Sequence, residues 1–193
     1  MARCCVRAGS ILRANTTPRQ TASYCRADHA PRALRLPLSD ALAFVFAAPH
    51  TTISTQRARA ALPSQVAHSA AVRNTARMAA LLHGLAHADR ETLGAGFNDE
   101  LHVPYRLPLI PGGKDAMAAA RDAGAWAVTI SGSGSGVVAV CERGGEADVL
   151  AALTDSFNSG GHGGAGFIAT PDLMGAQPRD VVTLMATIGN TTS

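Results

Sequence analysis

Apolar and polar positions along the 193 residues begin to show regular order near Leu36. Ala41 to Ala48, read ALAFVFAA, is a continuous apolar run ended by Pro49, which predicts a buried strand. Thr51, Thr52 or Ser54 supplies a helix cap, and a short helix follows through Ala61 until Pro63 stops it. From Gln65 to about His87, Val66, Ser69, Ala70, Arg73, Ala76, Arg77, Ala80, Leu81 and Gly84 recur at three- and four-residue spacing. That spacing puts them on one face of a long helix. A further helix is predicted from Arg90 to His102. Pro104, Pro108 and Pro111 make the segment Val103 to Pro111 an extended loop. Gly112 and Gly113 then open a helix that runs from Lys114 to about Ala123 and ends at Gly124.

Trp126 to Ile130 and Val137 to Cys141 are two β-type runs joined by the Ser131–Gly136 segment, Ser-Gly-Ser-Gly-Ser-Gly. Ala147 to Phe157 has helical spacing, Gly160 to Gly166 is a flexible turn, and Phe167 to Thr170 reads as a strand. Val181 to Ile188 reads either as one more strand or as a free tail. Strands and helices alternate irregularly around a hairpin, which predicts an α+β layer fold rather than a doubly wound parallel sheet. The chain length suits one globular domain. The expected organisation is an extension over residues 1–35, a folded domain over 36–175 and a tail over 176–193.

Charge separates the first of these segments from the rest. Residues 1–35 hold seven arginines against one acid, Asp28, and show the period of neither helix nor strand. Of the totals of 17 basic and 14 acidic residues, this leaves ten against thirteen in the remainder, so the domain itself is slightly acidic. The N-terminal composition fits an organelle transit peptide, and also a disordered extension or upstream sequence translated from a misplaced start. The expected compartment is the cytoplasm, with an organelle as the alternative. Aromatic content of 4% and the absence of a basic folded face argue against nucleic acid as a partner. No window is long and apolar enough for a membrane span. Cys4, Cys5, Cys25 and Cys141 show no metal-binding spacing and no disulfide framework.

Three segments offer chemistry. Glycines in the Ser131–Gly136 loop permit positive φ and close approach of a ligand, and free N–H groups with serine hydroxyls form a concavity suited to an anion. A plain hairpin loop explains the same residues. The loop leads into a strand and not into a helix, which excludes a dinucleotide-binding turn, and no Gly-Lys-Ser/Thr follows it. The second segment, Leu101 to Pro111, carries His102, Tyr105 and Arg106 on a proline-framed loop, where Arg106 can clamp a carboxylate with paired donors. The third, Ser54 to Pro63, sets Arg57 and Arg59 on a short helix.

The order of these segments resembles homoserine kinase, of the GHMP kinase superfamily. Ser54-Thr55, Ala58-Arg59, Leu62-Pro63, Leu101-His102, Pro104-Tyr105-Arg106, Pro108-Leu109-Ile110-Pro111-Gly112 and Ser131-Gly132-Ser133-Gly134 carry the resemblance, which runs from about Leu36 to Gly175. It implies a ferredoxin-like antiparallel sheet with helices packed on one face. It also implies phosphoryl transfer from ATP, with Mg2+, to the side-chain hydroxyl of L-homoserine on the route to threonine. By resemblance, Arg59, Arg106, His102 and Gly132 bind substrate, while Ser131, Gly132, Ser133 and Gly134 form the active-site loop near the phosphates. A homodimer is a further expectation. After the loop the family continues Pro-Thr, whereas Ser135-Gly136 stand here.

The family's phosphate-cradling string, Pro-x-x-x-Gly-Leu-Gly-Ser-Ser-Ala, occurs nowhere in these residues. Nor do its substrate-facing Asp and Asn or its Mg2+-associated Glu. No catalytic residue and no metal ligand is therefore identified here. The resemblance implies a C-terminal half with little or no kinase activity on its own. A non-catalytic amino-acid-binding or regulatory α+β domain is the alternative, and a nucleic-acid binder acting through its basic N-terminus is a third reading.

Overall fold

A computed structural model describes residues 21–24 and 32–170, in two compact units. Leu36–Thr170 forms one unit, and the described part of the other is a pair of short strands, β1 (Thr21–Tyr24) and β2 (Arg32–Arg35). These pair antiparallel, Thr21 opposite Arg35 and Tyr24 opposite Arg32. The two strands lie in a segment read as having the period of neither helix nor strand; residues 1–20 and 25–31 of it lie outside the described residues. The tail from 176 onward, with Val181 to Ile188, lies outside the described residues.

The larger unit is built on β3 (Leu42–Pro49), which pairs antiparallel with β5 (Val137–Glu142) on one side and β6 (Gly164–Ala169) on the other. With β4 (Ala127–Ile130) on the far side of β5, the strand order is β4-β5-β3-β6. The α+β class with an antiparallel sheet is the one expected. Between the strands in sequence lie α1 (Thr55–Ala60), α2 (His68–His87), α3 (Arg90–Gly96), α4 (Val103–Arg106), α5 (Gly113–Asp122) and α6 (Glu146–Ser159).

Strand alternation gives the sheet two apolar faces. Ala43, Val45 and Ala47 share one face with Val128, Ile130, Val137, Ala139 and Cys141. Against it pack Ala116, Met117 and Ala120 of α5 and Val149, Leu153 and Phe157 of α6, whose spacing of four makes one stripe. Leu42, Val140 and Ala127 lie on the opposite face and are covered by Leu93 of α3, with Leu81 and Leu85 of α2 beside it. Helices therefore cover both faces, α5 and α6 one and the α2–α3 pair the other, and not the single face expected.

Two glycines let α2 and α3 touch. A β-carbon on Gly84 would stand 2.6 Å from the Leu93 backbone nitrogen, and one on Gly96 would stand 2.5 Å from the Leu81 backbone. Ala88 takes the left-handed conformation that ends α2, and Asp89 caps α3 through its Oδ1, which accepts from the Thr92 N–H at 3.0 Å.

Three sequence expectations need correction. The helix predicted from Arg90 to His102 stops at Gly96, because Asp99 organises the following turn. Val103–Pro111 is not extended: it forms α4 and then a 3-10 turn over Leu107–Leu109. Pro104 and Pro108 sit in the first positions of these turns, where no backbone N–H is needed, so they start helical turns rather than prevent them. Finally, β6 begins at Gly164, inside the run read as a flexible turn. Gly166 there lets Phe46 and Leu150 approach, since a β-carbon would meet the Phe46 carbonyl at 2.5 Å.

Candidate functional site

One end of the sheet collects the three segments that carry chemistry. Beyond β3, Ser54 caps α1, its Oγ accepting from the Arg57 N–H at 3.1 Å. This single turn turns Ala58 fully inward and leaves Arg57 and Arg59 exposed in its last turn. Between β4 and β5, the Ser131 N–H donates to the Gly136 carbonyl at 2.8 Å and the Gly134 N–H to the Ser131 carbonyl at 3.1 Å. Gly132 and Gly134 take φ of 60° and 91°, a conformation that disfavours any side chain. Two of the loop's N–H groups are therefore spent in closing the turn and are not presented to an anion.

Arg106 joins these pieces. Its Nε donates to the Ala58 carbonyl at 3.2 Å, and its Nη1 to the Gly132 carbonyl at 3.4 Å. One guanidinium thus spans α1 and the glycine-serine turn, although Arg106 is 48 residues from one contact and 26 from the other. Across the same gap, the Thr55 and Ser133 hydroxyls lie 3.4 Å apart. A β-carbon on Gly134 would meet Ile110 at 3.3 Å, so the turn rests on the apolar floor of Ile110 and Ile53.

Of the sequence-predicted residues, Arg106, Gly132, Ser131, Ser133 and Gly134 are drawn together here. Arg59 follows Ala58 directly on α1, at the same end and open to solvent. His102 is bound elsewhere: its Nδ1 lies 3.0 Å from Asp99 Oδ2, at the start of α4, with its side chain half exposed. The turn after α6 reaches the same end of the sheet, placing His162 beside Gly112 and the His50 N–H on the carbonyls of His162 and Gly163.

Sequence reasoning missed three contributors. The Ala58 carbonyl has no sequence signature, since any residue supplies one. Thr55 stood in the quoted string but had no role until Ser133 was placed opposite it. Asp99 precedes the Leu-His pair, and its carboxylate accepts from the N–H groups of Leu101, His102 and Val103 at 2.7, 3.2 and 3.3 Å. An Asp accepting from the N–H groups two and three residues on is a legible turn signal.

The chemistry available is electrostatic. With Nε and one Nη1 proton engaged, Arg106 keeps its Nη2 donors and the other Nη1 proton for a planar oxyanion such as a carboxylate. Among the described residues, no group of three or more His, Cys, Asp or Glu side chains comes together to hold a metal ion. No helix among them is long and apolar enough to cross a membrane.

Comparisons with known proteins relate the chain to one group of kinases. Residues 81–159 match the family model for the C-terminal region of GHMP kinases. Homoserine kinase of Moorella thermoacetica is 47% identical over 123 residues, covering 64% of this chain and 41% of that protein. Homoserine kinase of Halobacterium salinarum is 47% identical over 120 residues, covering 62% and 40%. The crystal structure of homoserine kinase from Cytophaga hutchinsonii superposes with a TM-score of 0.71 at 31% identity, covering 75% of this chain and 46% of that one. The chain thus spans less than half the length of these relatives, 41%, 40% and 46%. Over residues 81–159 the chain is similar to the C-terminal region of GHMP kinases, and over 120 residues or more it is similar to homoserine kinases.

Proposed function

We propose that this chain supplies the L-homoserine site of a homoserine kinase, which converts ATP and L-homoserine to ADP and O-phospho-L-homoserine for threonine biosynthesis. In this reading Arg106, with Arg59 one position beyond its Ala58 anchor, holds the substrate α-carboxylate. The Ser131–Gly134 turn closes the site over the substrate's reacting end and Gly132 borders it, while His102, paired with Asp99, is left outside it. Holding a small substrate in one orientation is a large share of what phosphoryl transfer asks of a protein.

ATP and Mg2+ are implied by the family, and the residues of this chain do not fit them unaided. The described residues gather no cation-binding cluster, and the 193-residue sequence holds no Gly-Leu-Gly-Ser-Ser cradle. The nucleotide-binding groups must come from outside these residues. By itself the 193-residue polypeptide is expected to turn over ATP and homoserine far more slowly than a full-length relative. A cytoplasmic, homodimeric enzyme is part of the same reading.

The observation that supports it most is the Arg106 guanidinium spanning the Ala58 and Gly132 carbonyls with donors to spare. Titration calorimetry with L-homoserine tests it. Arg106→Met is expected to weaken binding by about a hundredfold, the size of a charge-assisted paired contact. Equal binding by the parent and the variant would end the reading.

A further inference from the structure

The helix that carries Arg106 is a single turn, Val103–Arg106. One turn does not hold itself in water, because nucleation fixes several residues for one hydrogen bond. Something outside α4 must set where Arg106 points, and the residues just before it are tied down with unusual density. The Asp99 carboxylate takes the N–H groups of Leu101, His102 and Val103 and the His102 ring nitrogen. Glu100 is held from α2: Arg73 donates at 2.6 and 2.9 Å, Arg77 at 2.5 Å, and the Glu100 N–H reaches Asn74 Oδ1 at 3.1 Å. Arg77 also donates to the Asn98 carbonyl at 2.8 Å. Residues 98, 99 and 100 are therefore fastened in turn, two of them from α2.

We propose that Asp99 and Glu100 are positioning residues that set Arg106 for the substrate carboxylate and couple the Arg73–Glu100–Arg77 cluster of α2 to the site. The inference rests on the reading of Arg106 as the carboxylate-binding group. Arg73 is half exposed, and ion pairs of that kind add little to stability. Their forked geometry instead fixes direction, which is what the paired donors of Arg106 require. An ångström of drift at Val103 carries through α4 and takes Arg106 off both the Ala58 and the Gly132 carbonyls.

The test compares Asp99→Ala, Glu100→Gln and a control, Arg143→Ala, on the full chain. Arg143 donates to the Asp40 carbonyl at 2.6 Å at the opposite end of the sheet, so its loss perturbs the fold without reaching Arg106. The first readout needs no ligand: NMR exchange of the Arg106 Nε–H, assigned by its disappearance in Arg106→Lys. The second is L-homoserine affinity by calorimetry. Asp99→Ala is expected to speed Nε–H exchange and weaken binding by about tenfold each, with Glu100→Gln smaller in the same direction and the control flat. If Asp99→Ala does not fold, Glu100→Gln carries the test. Unchanged exchange and affinity, within about twofold in the variants that fold, would overturn the proposal. If the parent binds no homoserine yet the variants lose Nε–H protection, the carboxylate reading fails while the positioning role stands.

Discussion

The two ends of this domain's construction differ in kind. The α5–α6 face of the sheet is made of long periodic elements. Val149, Leu153 and Phe157 are fully buried at regular spacing, and every partner is apolar. The Arg106 end is made of a six-residue helix, a four-residue helix and a glycine-serine turn, joined by hydrogen bonds between residues far apart in sequence. The first region holds itself by area removed from water and the second by directed polar contacts. Damage to the first should therefore show in stability, and damage to the second in affinity.

The largest expected effect tests the packed face. Phe157→Ala removes a fully buried ring between α6 and the sheet and should cost about 3–5 kcal/mol in urea unfolding. A loss below about 1 kcal/mol would mean that this face is not the main source of stability. An intermediate effect tests the junction on the other face. Gly84→Val forces a side chain against the Leu93 backbone, 2.6 Å from where its β-carbon must stand, and should destabilise by about 1–3 kcal/mol. Because α2 anchors Glu100, this variant should also weaken homoserine binding, which Phe157→Ala should leave intact in the fraction that stays folded.

The smallest effect is a titration. Hydrogen bonds first from Arg73 and then from Arg77 lower the Glu100 carboxyl to about 2. A folded-state value below the unfolded one means that the group stabilises above the ordinary carboxylate range. That contribution is lost as pH falls through the range toward about 2. Thermal unfolding of the parent and Glu100→Gln should therefore differ at neutral pH and converge toward pH 2. Parallel curves across that window would show that the cluster does not form in solution.

Much of the architecture was legible in one dimension. The strand at Leu42–Pro49, the hairpin of β4 and β5 and the helices α2, α5 and α6 all follow from apolar spacing and glycine or proline punctuation. The misreadings cluster where a short polar contact outranks periodicity. Prolines in Val103–Pro111 looked like breakers and instead start two turns, because they sit in first-turn positions, and the Asp99 carboxylate takes the Val103 N–H that opens the first. The glycine run before Phe167 looked loose and is instead partly strand, because its backbone pairs with β3 from Ala47 to Pro49.

The chain's order of residues alone determined which side chains are available: an arginine after a Pro-Tyr pair, a serine-capped turn, a glycine-serine hairpin and no phosphate cradle. Tertiary structure decided that Arg106 reaches Ala58 and Gly132 while His102 turns to Asp99. The reason is physical. Periodicity encodes which face of an element is buried, because burial acts on every residue alike, whereas a hydrogen bond across 48 positions depends on where both ends come to rest.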